Sequence, residues 1–221
     1  MDLKIFHDTV RYFVNVEQGG WLSPEEIDNI TDRAQMWLFT SSIPSYGKTS
    51  KATDPLSPFS VNQSFTTAGD GIITLPTNAA VSPCYEALPV VTVSYYDGTK
   101  MRYKGTKLFN EDEIAERLDS QVLEPTVTDP IAQETVRGTI QLYPKTVLTG
   151  FCTYLRRPKP PVFVYTMDDK TIVYDQGAST QLEWTESNIN KILVKALNMF
   201  GVNLSDEMLI QYTEMKNQQD I

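Results

Sequence analysis

Apolar positions recur at helical spacing at both ends of the chain and at strand spacing between them. Leu3, Phe6, Val10, Phe13 and Val14 form one apolar face, which predicts a helix over 3–17 closed by Gly19-Gly20. Ser23-Pro24-Glu25-Glu26 then carries a second start signal: an N-cap serine, a proline at the first helical position and a glutamate three residues after the cap. Ile27, Ile30, Ala34, Trp37 and Leu38 mark the expected buried face of that helix, which should run to about Thr40. Residues 41–89 change character. Pro, Ser, Thr and Gly recur throughout, so a long loop or several loops around small strands are expected, with Gly71–Leu75 as one strand piece.

Period-two patterning takes over near residue 90. Val91, Val93 and Tyr95 alternate with smaller or polar positions, Asp97-Gly98 is a two-residue turn signal, and Met101–Lys104 return as a hairpin. Asn110 caps a short acidic helix with Glu113 at its third position and Ile114, Ala115 and Leu118 expected to face the core. Thr139–Tyr143 and Gly150–Leu155 read as strands. Val162–Tyr165 and Thr171–Tyr174 flank Met167-Asp168-Asp169-Lys170 as another hairpin, and Leu182 and Trp184 close the β part. Arg157-Pro158-Lys159-Pro160-Pro161 lacks backbone donors at three positions and should leave the sheet, running over the surface with its charges outward. Helical spacing returns with Ile189, Ile192, Leu193, Ala196, Leu197 and Phe200, followed by Gly201 as the C′ residue. Ser205 then caps a last helix carrying Leu204, Met208, Tyr212 and Met215.

The order helices, strands, helices predicts an α+β architecture with a mainly antiparallel β region inserted. The expected divisions are a helical hairpin at 1–40, a β-rich region with long loops at 41–185, and C-terminal helices at 186–221 that complete the helical part. Trp37 and Phe200 are expected in or near the core shared by the two ends.

Composition adds limits. The chain has 221 residues, 41% hydrophobic and 21% charged, with a net charge of −9. That is a globular balance with ample length for a core. The net charge argues against wrapping nucleic acid as an isolated monomer, because phosphate binding needs clustered Lys and Arg. No apolar run reaches the roughly 20 residues that a membrane helix requires, and the start of the chain shows no secretion signal. Two cysteines, Cys84 and Cys152, make no disulfide framework, so a reducing, cytosolic folding compartment is expected.

Chemistry-bearing residues are sparse. His7 is the single histidine and lies on or beside an apolar helix face, where a structural role is expected. One His and two distant Cys give no zinc-ligand spacing, and no Gly-x-Ser-x-Gly elbow accompanies His7. Ala68-Gly69-Asp70-Gly71 has no following Gly-Lys-Ser/Thr and is not a phosphate loop. Asp168-Asp169 reads as a hairpin turn rather than a metal site. The expectation is a protein with no catalytic residues, no metal and no cofactor.

Charge is unevenly placed. Residues 108–135 hold Glu111, Asp112, Glu113, Glu116, Asp119, Glu124, Asp129 and Glu134 against Arg117, a net of −7. Residues 136–167 hold Arg137, Lys145, Arg156, Arg157 and Lys159 and no acid, a net of +5. The two stretches can pair inside one chain, or face solvent. Alternatively they meet across a head-to-tail subunit interface, with Arg137, Lys145, Arg156, Arg157 and Lys159 opposite Glu111, Asp112, Glu113 and Glu116. The polar stretch 41–89 then suits an arm that reaches a neighbour.

Several local patterns carry a resemblance. They are Gln18-Gly19-Gly20-Trp21-Leu22-Ser23-Pro24-Glu25-Glu26-Ile27-Asp28 with Arg33-Ala34-Gln35-Met36, and Ile140-Gln141-Leu142-Tyr143-Pro144. With them go Tyr154-Leu155-Arg156-Arg157-Pro158-Lys159-Pro160-Pro161, Glu183-Trp184 and Gly201-Val202-Asn203-Leu204. Together, over about residues 5–40 and 138–215, they resemble the head–tail connector and ring proteins of crAss-like tailed bacteriophages. The helices–β–helices order is also similar to tail adaptors of short-tailed phages, whose helical part is made from both termini. The resemblance implies a non-enzymatic virion protein made in the host cytoplasm. It implies a homo-oligomeric ring, usually of twelve subunits, at the head–tail junction. The ring would join the portal to other tail proteins and enclose viral DNA without reading its sequence, with no membrane involved. A negative lumen would repel phosphates and keep DNA sliding. The other class of function open to this chain is a monomeric or dimeric protein- or peptide-binding module with the β region as its platform.

Overall fold

The structure is a computed structural model and describes residues 1–18, 22–47, 54–77, 84–168 and 171–202. Its helices are α1 (Leu3–Gln18), α2 (Pro24–Ser42), α3 (Glu111–Asp119) and α4 (Glu186–Met199). Its strands are β1 (Ser60–Thr66), β2 (Ile72–Thr74), β3 (Tyr85–Tyr96), β4 (Met101–Gly105), β5 (Lys107–Leu108), β6 (Ile131–Val136), β7 (Thr139–Tyr143), β8 (Thr149–Arg156), β9 (Tyr165–Asp168) and β10 (Thr171–Tyr174). The fold is α+β. Phe59–Arg157 forms one compact unit, and the chain on either side of it forms the other.

The helical unit is built from both ends of the chain. Leu3, Phe6, Val10, Phe13 and Val14 are all buried along one face of α1, as their spacing predicts. At the start of α2 the Ser23 hydroxyl accepts the Glu26 amide at 3.2 Å, and the Glu26 carboxylate accepts the Ser23 amide at 2.9 Å. This is the expected capping box, with Pro24 at the first turn. α4 packs against α1 and α2 through Ile189, Ile192, Leu193, Ala196 and Leu197. It stops at Gly201, whose φ of 80° favours glycine. There the Val202 amide reaches Leu197 O at 3.0 Å and the Gly201 amide reaches Asn198 O at 3.1 Å, a Schellman close with Val202 buried.

α2 corrects one expectation. Its inward positions are Ile27, Thr31, Ala34, Gln35, Leu38, Phe39 and Ser42, so Trp37 falls on the flank and is 47% exposed. Phe200, paired with Trp37 in that expectation, is half-buried. Three polar side chains, Thr31, Gln35 and Ser42, occupy the stripe instead because their hydrogen bonds are met, that of Ser42 by Leu38 O at 2.8 Å. The Thr31 hydroxyl donates to Ile27 O at 2.7 Å. Gln35 donates to Asp32 Oδ1 at 2.8 Å and to Lys159 O at 2.9 Å, and accepts the Trp184 indole N–H at 3.2 Å.

The β9–β10 hairpin belongs to the helical unit rather than to the inserted region, which is therefore shorter than 41–185. Phe163, just before β9, explains this: its ring stacks on His7 at 4.3 Å and on Tyr174 at 4.6 Å. Strand structure begins at Tyr165, and Val162 makes only an isolated bridge to Thr180. The proline segment leaves the sheet after Arg156, as expected. It keeps Lys159 and Pro160 exposed, but Pro158 and Pro161 are buried, so it does not simply lie on the surface.

In the inserted unit two four-stranded sheets, ordered β1-β8-β3-β4 and β2-β7-β6-β5, enclose one core. All pairs are antiparallel except β5 with β6. Ile140 and Leu142 of β7 face Val91 and Val93 of β3 and Cys152 and Tyr154 of β8 across that core. The 41–89 stretch supplies β1 and β2 as edge strands and the start of β3, with short turns and loops between them, as small strands among loops were expected. β1, SVNQSFT, packs only Val61 and Phe65 against the core, which is why its sequence carries no strand alternation. Gly150 of β8 stands between β1 and β3. A Cβ there would lie 2.2 Å from Thr92 O and 2.6 Å from the Phe65 ring.

The Gly19-Gly20 helix end, the Asp169-Lys170 part of the hairpin turn, and the last helix from Ser205 with Leu204, Met208, Tyr212 and Met215 lie outside the described residues.

Candidate functional site

His7, Cys84 and Cys152, weighed for chemistry in the sequence, are all buried. His7 is fully buried, and its Nε2 donates to Asp28 Oδ1 at 2.9 Å. Asp28 Oδ2 accepts the Phe163 amide at 2.8 Å, so one carboxylate ties α1, α2 and the segment leading into β9 together. Cys84 and Cys152 are buried free thiols. Burial, and then the Glu134 carboxylate, push the Cys152 thiol up to about 11, which keeps it protonated and a poor nucleophile. Tyr85 is pushed well above the usual tyrosine range by burial and by its hydrogen bond to Glu134. The Gly69–Gly71 segment is a turn in which Asp70 Oδ1 accepts the Ile72 amide at 3.0 Å. Among the described residues no three His, Cys, Asp or Glu side chains gather as a metal site, and no helix is long and apolar enough to cross a membrane.

The charged residues singled out by sequence fall into two groups. Arg137 donates to Glu86 Oε2 at 2.8 Å, and Lys159 Nζ lies 4.0 Å from Glu183 Oε1. Arg156 stacks over the Phe59 ring at 5.3 Å and donates to Arg157 O at 3.4 Å. These bases are thus engaged within the chain, and Lys145 is exposed. Arg157 is half-buried. The acids behave differently. Glu111, Asp112, Glu113 and Glu116 are all exposed on α3. Glu113 accepts the Asn110 amide at 3.1 Å as part of a capping box, and acids in this first turn also complement the helix dipole. Arg117 stacks over Phe109 at 4.4 Å.

α3 buries only Ile114. Ala115 and Leu118, expected in the core, are exposed, because one nine-residue helix beside an edge strand covers a single row. Beyond α3 the Ser120 hydroxyl accepts the amides of Val122 at 3.3 Å and Leu123 at 3.1 Å. This small turn leaves Val122 90% and Leu123 56% exposed.

A second apolar feature lies in the helical unit. Trp37 and Leu38 of α2 and Asn190, Lys191, Val194, Lys195 and Asn198 of α4 line a groove of about 530 Å³. Lys195 Nζ sits 4.6 Å from the centre of the Trp37 ring. Sequence reasoning missed this groove because Trp37 was assigned to the core. The Val122-Leu123 pair, two adjacent apolar residues between acids in a polar loop, was the signal that could have found the other surface.

Compared with protein-family models and with curated proteins, the chain matches none.

Proposed function

We propose that this chain is a non-enzymatic virion protein, one subunit of an oligomeric ring at the head–tail junction of a tailed bacteriophage. In this role it extends the DNA channel, links portal to tail, and is assembled in the host cytoplasm. The observation that carries the reading is the helical unit made from both ends of the chain, with a β unit inserted, which is the arrangement the connector and adaptor resemblance implies. The acidic face of α3 supports it, since exposed carboxylates suit either a subunit contact or a DNA conduit that does not hold phosphates. Twelve subunits follow from the resemblance alone.

The test is to mix the full chain with its cognate portal protein and image the products by negative-stain microscopy, with native mass measured in parallel. Closed rings stacked on the portal are expected. A chain that stays monomeric or dimeric with the portal present, at concentrations where the portal itself is intact, overturns the reading. One feature favours the binding-module alternative: Tyr96, Met101, Tyr103 and Phe151 are exposed together on β3, β4 and β8, with Tyr103 and Phe151 rings 6.1 Å apart. That alternative predicts the monomer or dimer outcome.

A further inference from the structure

The molecule carries an apolar knob and an apolar groove of opposite charge on different units. The knob is Leu118, Val122 and Leu123, 46%, 90% and 56% exposed, flanked by Glu116, Asp119 and Glu124. The groove is walled by Trp37 and Val194, 47% and 41% exposed, and rimmed by Lys191 and Lys195. We infer that the knob of one copy docks in the α2–α4 groove of the next copy, an inference that rests on the ring reading and names its subunit contact.

Three observations carry it. First, size fits. A cavity of about 150 Å³ admits a benzene-sized group, so a groove of about 530 Å³ has room for the three aliphatic side chains. Second, the signs are complementary. The acids beside the knob meet the lysines on the rim, and such exposed charges set register and encounter rate more than affinity. Arg137 and Lys159 are already engaged with Glu86 and Glu183 of their own chain, which shifts the partner of the α3 acids from the 137–159 stretch to Lys191 and Lys195. Third, knob and groove are different surfaces of one chain, so a contact made one way leaves a pair of copies with one free knob and one free groove, from which it can propagate to a ring or a filament. Three side chains make a small contact, one that is weak in dilute solution and strengthened when several copies are held together on a template.

The experiment uses two single variants of the full chain, Val122→Cys and Val194→Cys, both at exposed positions. The native thiols are buried and stay silent. The two variants are mixed at about 1 mM, where even a weak contact is substantially filled, and treated with a short bis-maleimide. The expected result is a mixed dimer that dominates over either variant linked to itself. Adding Lys191→Glu and Lys195→Glu to the Val194→Cys chain lowers the mixed yield about tenfold, because both attractive pairs become repulsive. Restoring attraction with Glu116→Lys and Asp119→Lys on the Val122→Cys chain recovers it. Self-linked products equal to mixed ones, or a mixed yield indifferent to charge reversal, overturn the inference. A mixed dimer without rings on the portal keeps the contact and removes the ring reading. Rings without the mixed dimer keep the ring and overturn this contact.

Discussion

The Cys152 thiol, buried in the β core and held protonated up to about pH 11, links packing to pH. Its folded pKa is raised above the unfolded value near 9, so the folded chain holds this proton more tightly. Stability from this group is therefore complete below about pH 9 and is lost as pH rises toward 11. Denaturant melts of wild type should weaken across that window, and Cys152→Ala should flatten the dependence while lowering stability at neutral pH. An aromatic disulfide reagent should react with Cys84 and Cys152 only at the global unfolding rate. Gln35 gives a second residue-scale test. It joins Asp32, the Lys159 carbonyl and the Trp184 indole inside the helical unit. Gln35→Leu keeps the volume but strips the indole and the carbonyl of this partner, at a cost of about 1–3 kcal/mol for each buried group left unmet. Denaturation followed by tryptophan emission should show the loss, with Gln35→Glu milder at low pH than at neutral pH.

Elements were legible where one local rule decided them. α1 announces itself by spacing, α2 by Ser23, Pro24 and Glu26, and the β3–β4 hairpin by Asp97-Gly98, where Gly98 has a φ of 89°. The reading failed where tertiary partners decide burial. β1 is held by its ladder to β8 while most of its side chains face away from the core, so no alternation marks it. Thr31 and Gln35 are polar yet inside, and Trp37 is apolar yet on the flank, because hydrogen-bond satisfaction rather than hydropathy chose the stripe. The charge partition was visible in sequence, but which acids stay exposed depends on pairs such as Arg137 with Glu86, 51 residues apart. Gly150 offers the element-scale test. Gly150→Ala would press a methyl onto Thr92 O and Phe65, destabilising the β unit by about 1–3 kcal/mol or more as overpacking does. Gly150→Ala combined with Phe65→Leu should recover part of the loss, measured by thermal melts.

For the molecule as a whole, the insertion begins and ends on neighbouring strands: Ser60 of β1 pairs with Leu155 of β8. In mechanical terms, that pairing makes the two units respond differently to load. Both ends of the chain enter through the helical unit, so tension applied to the ends is carried first by α1 and α2 against α4, and the β unit is bypassed while those contacts hold. Once they part, the load arrives at the paired ends of β1 and β8 and peels their hydrogen bonds one after another, rather than shearing the whole ladder at once. Pulling single molecules from their termini should therefore give two steps, the helical unit first and the β unit second at low force. A disulfide closing Ser60→Cys to Leu155→Cys should remove the second step and leave the first. Strain is then met first by the helical unit, and the β ladder is spared until that unit has opened.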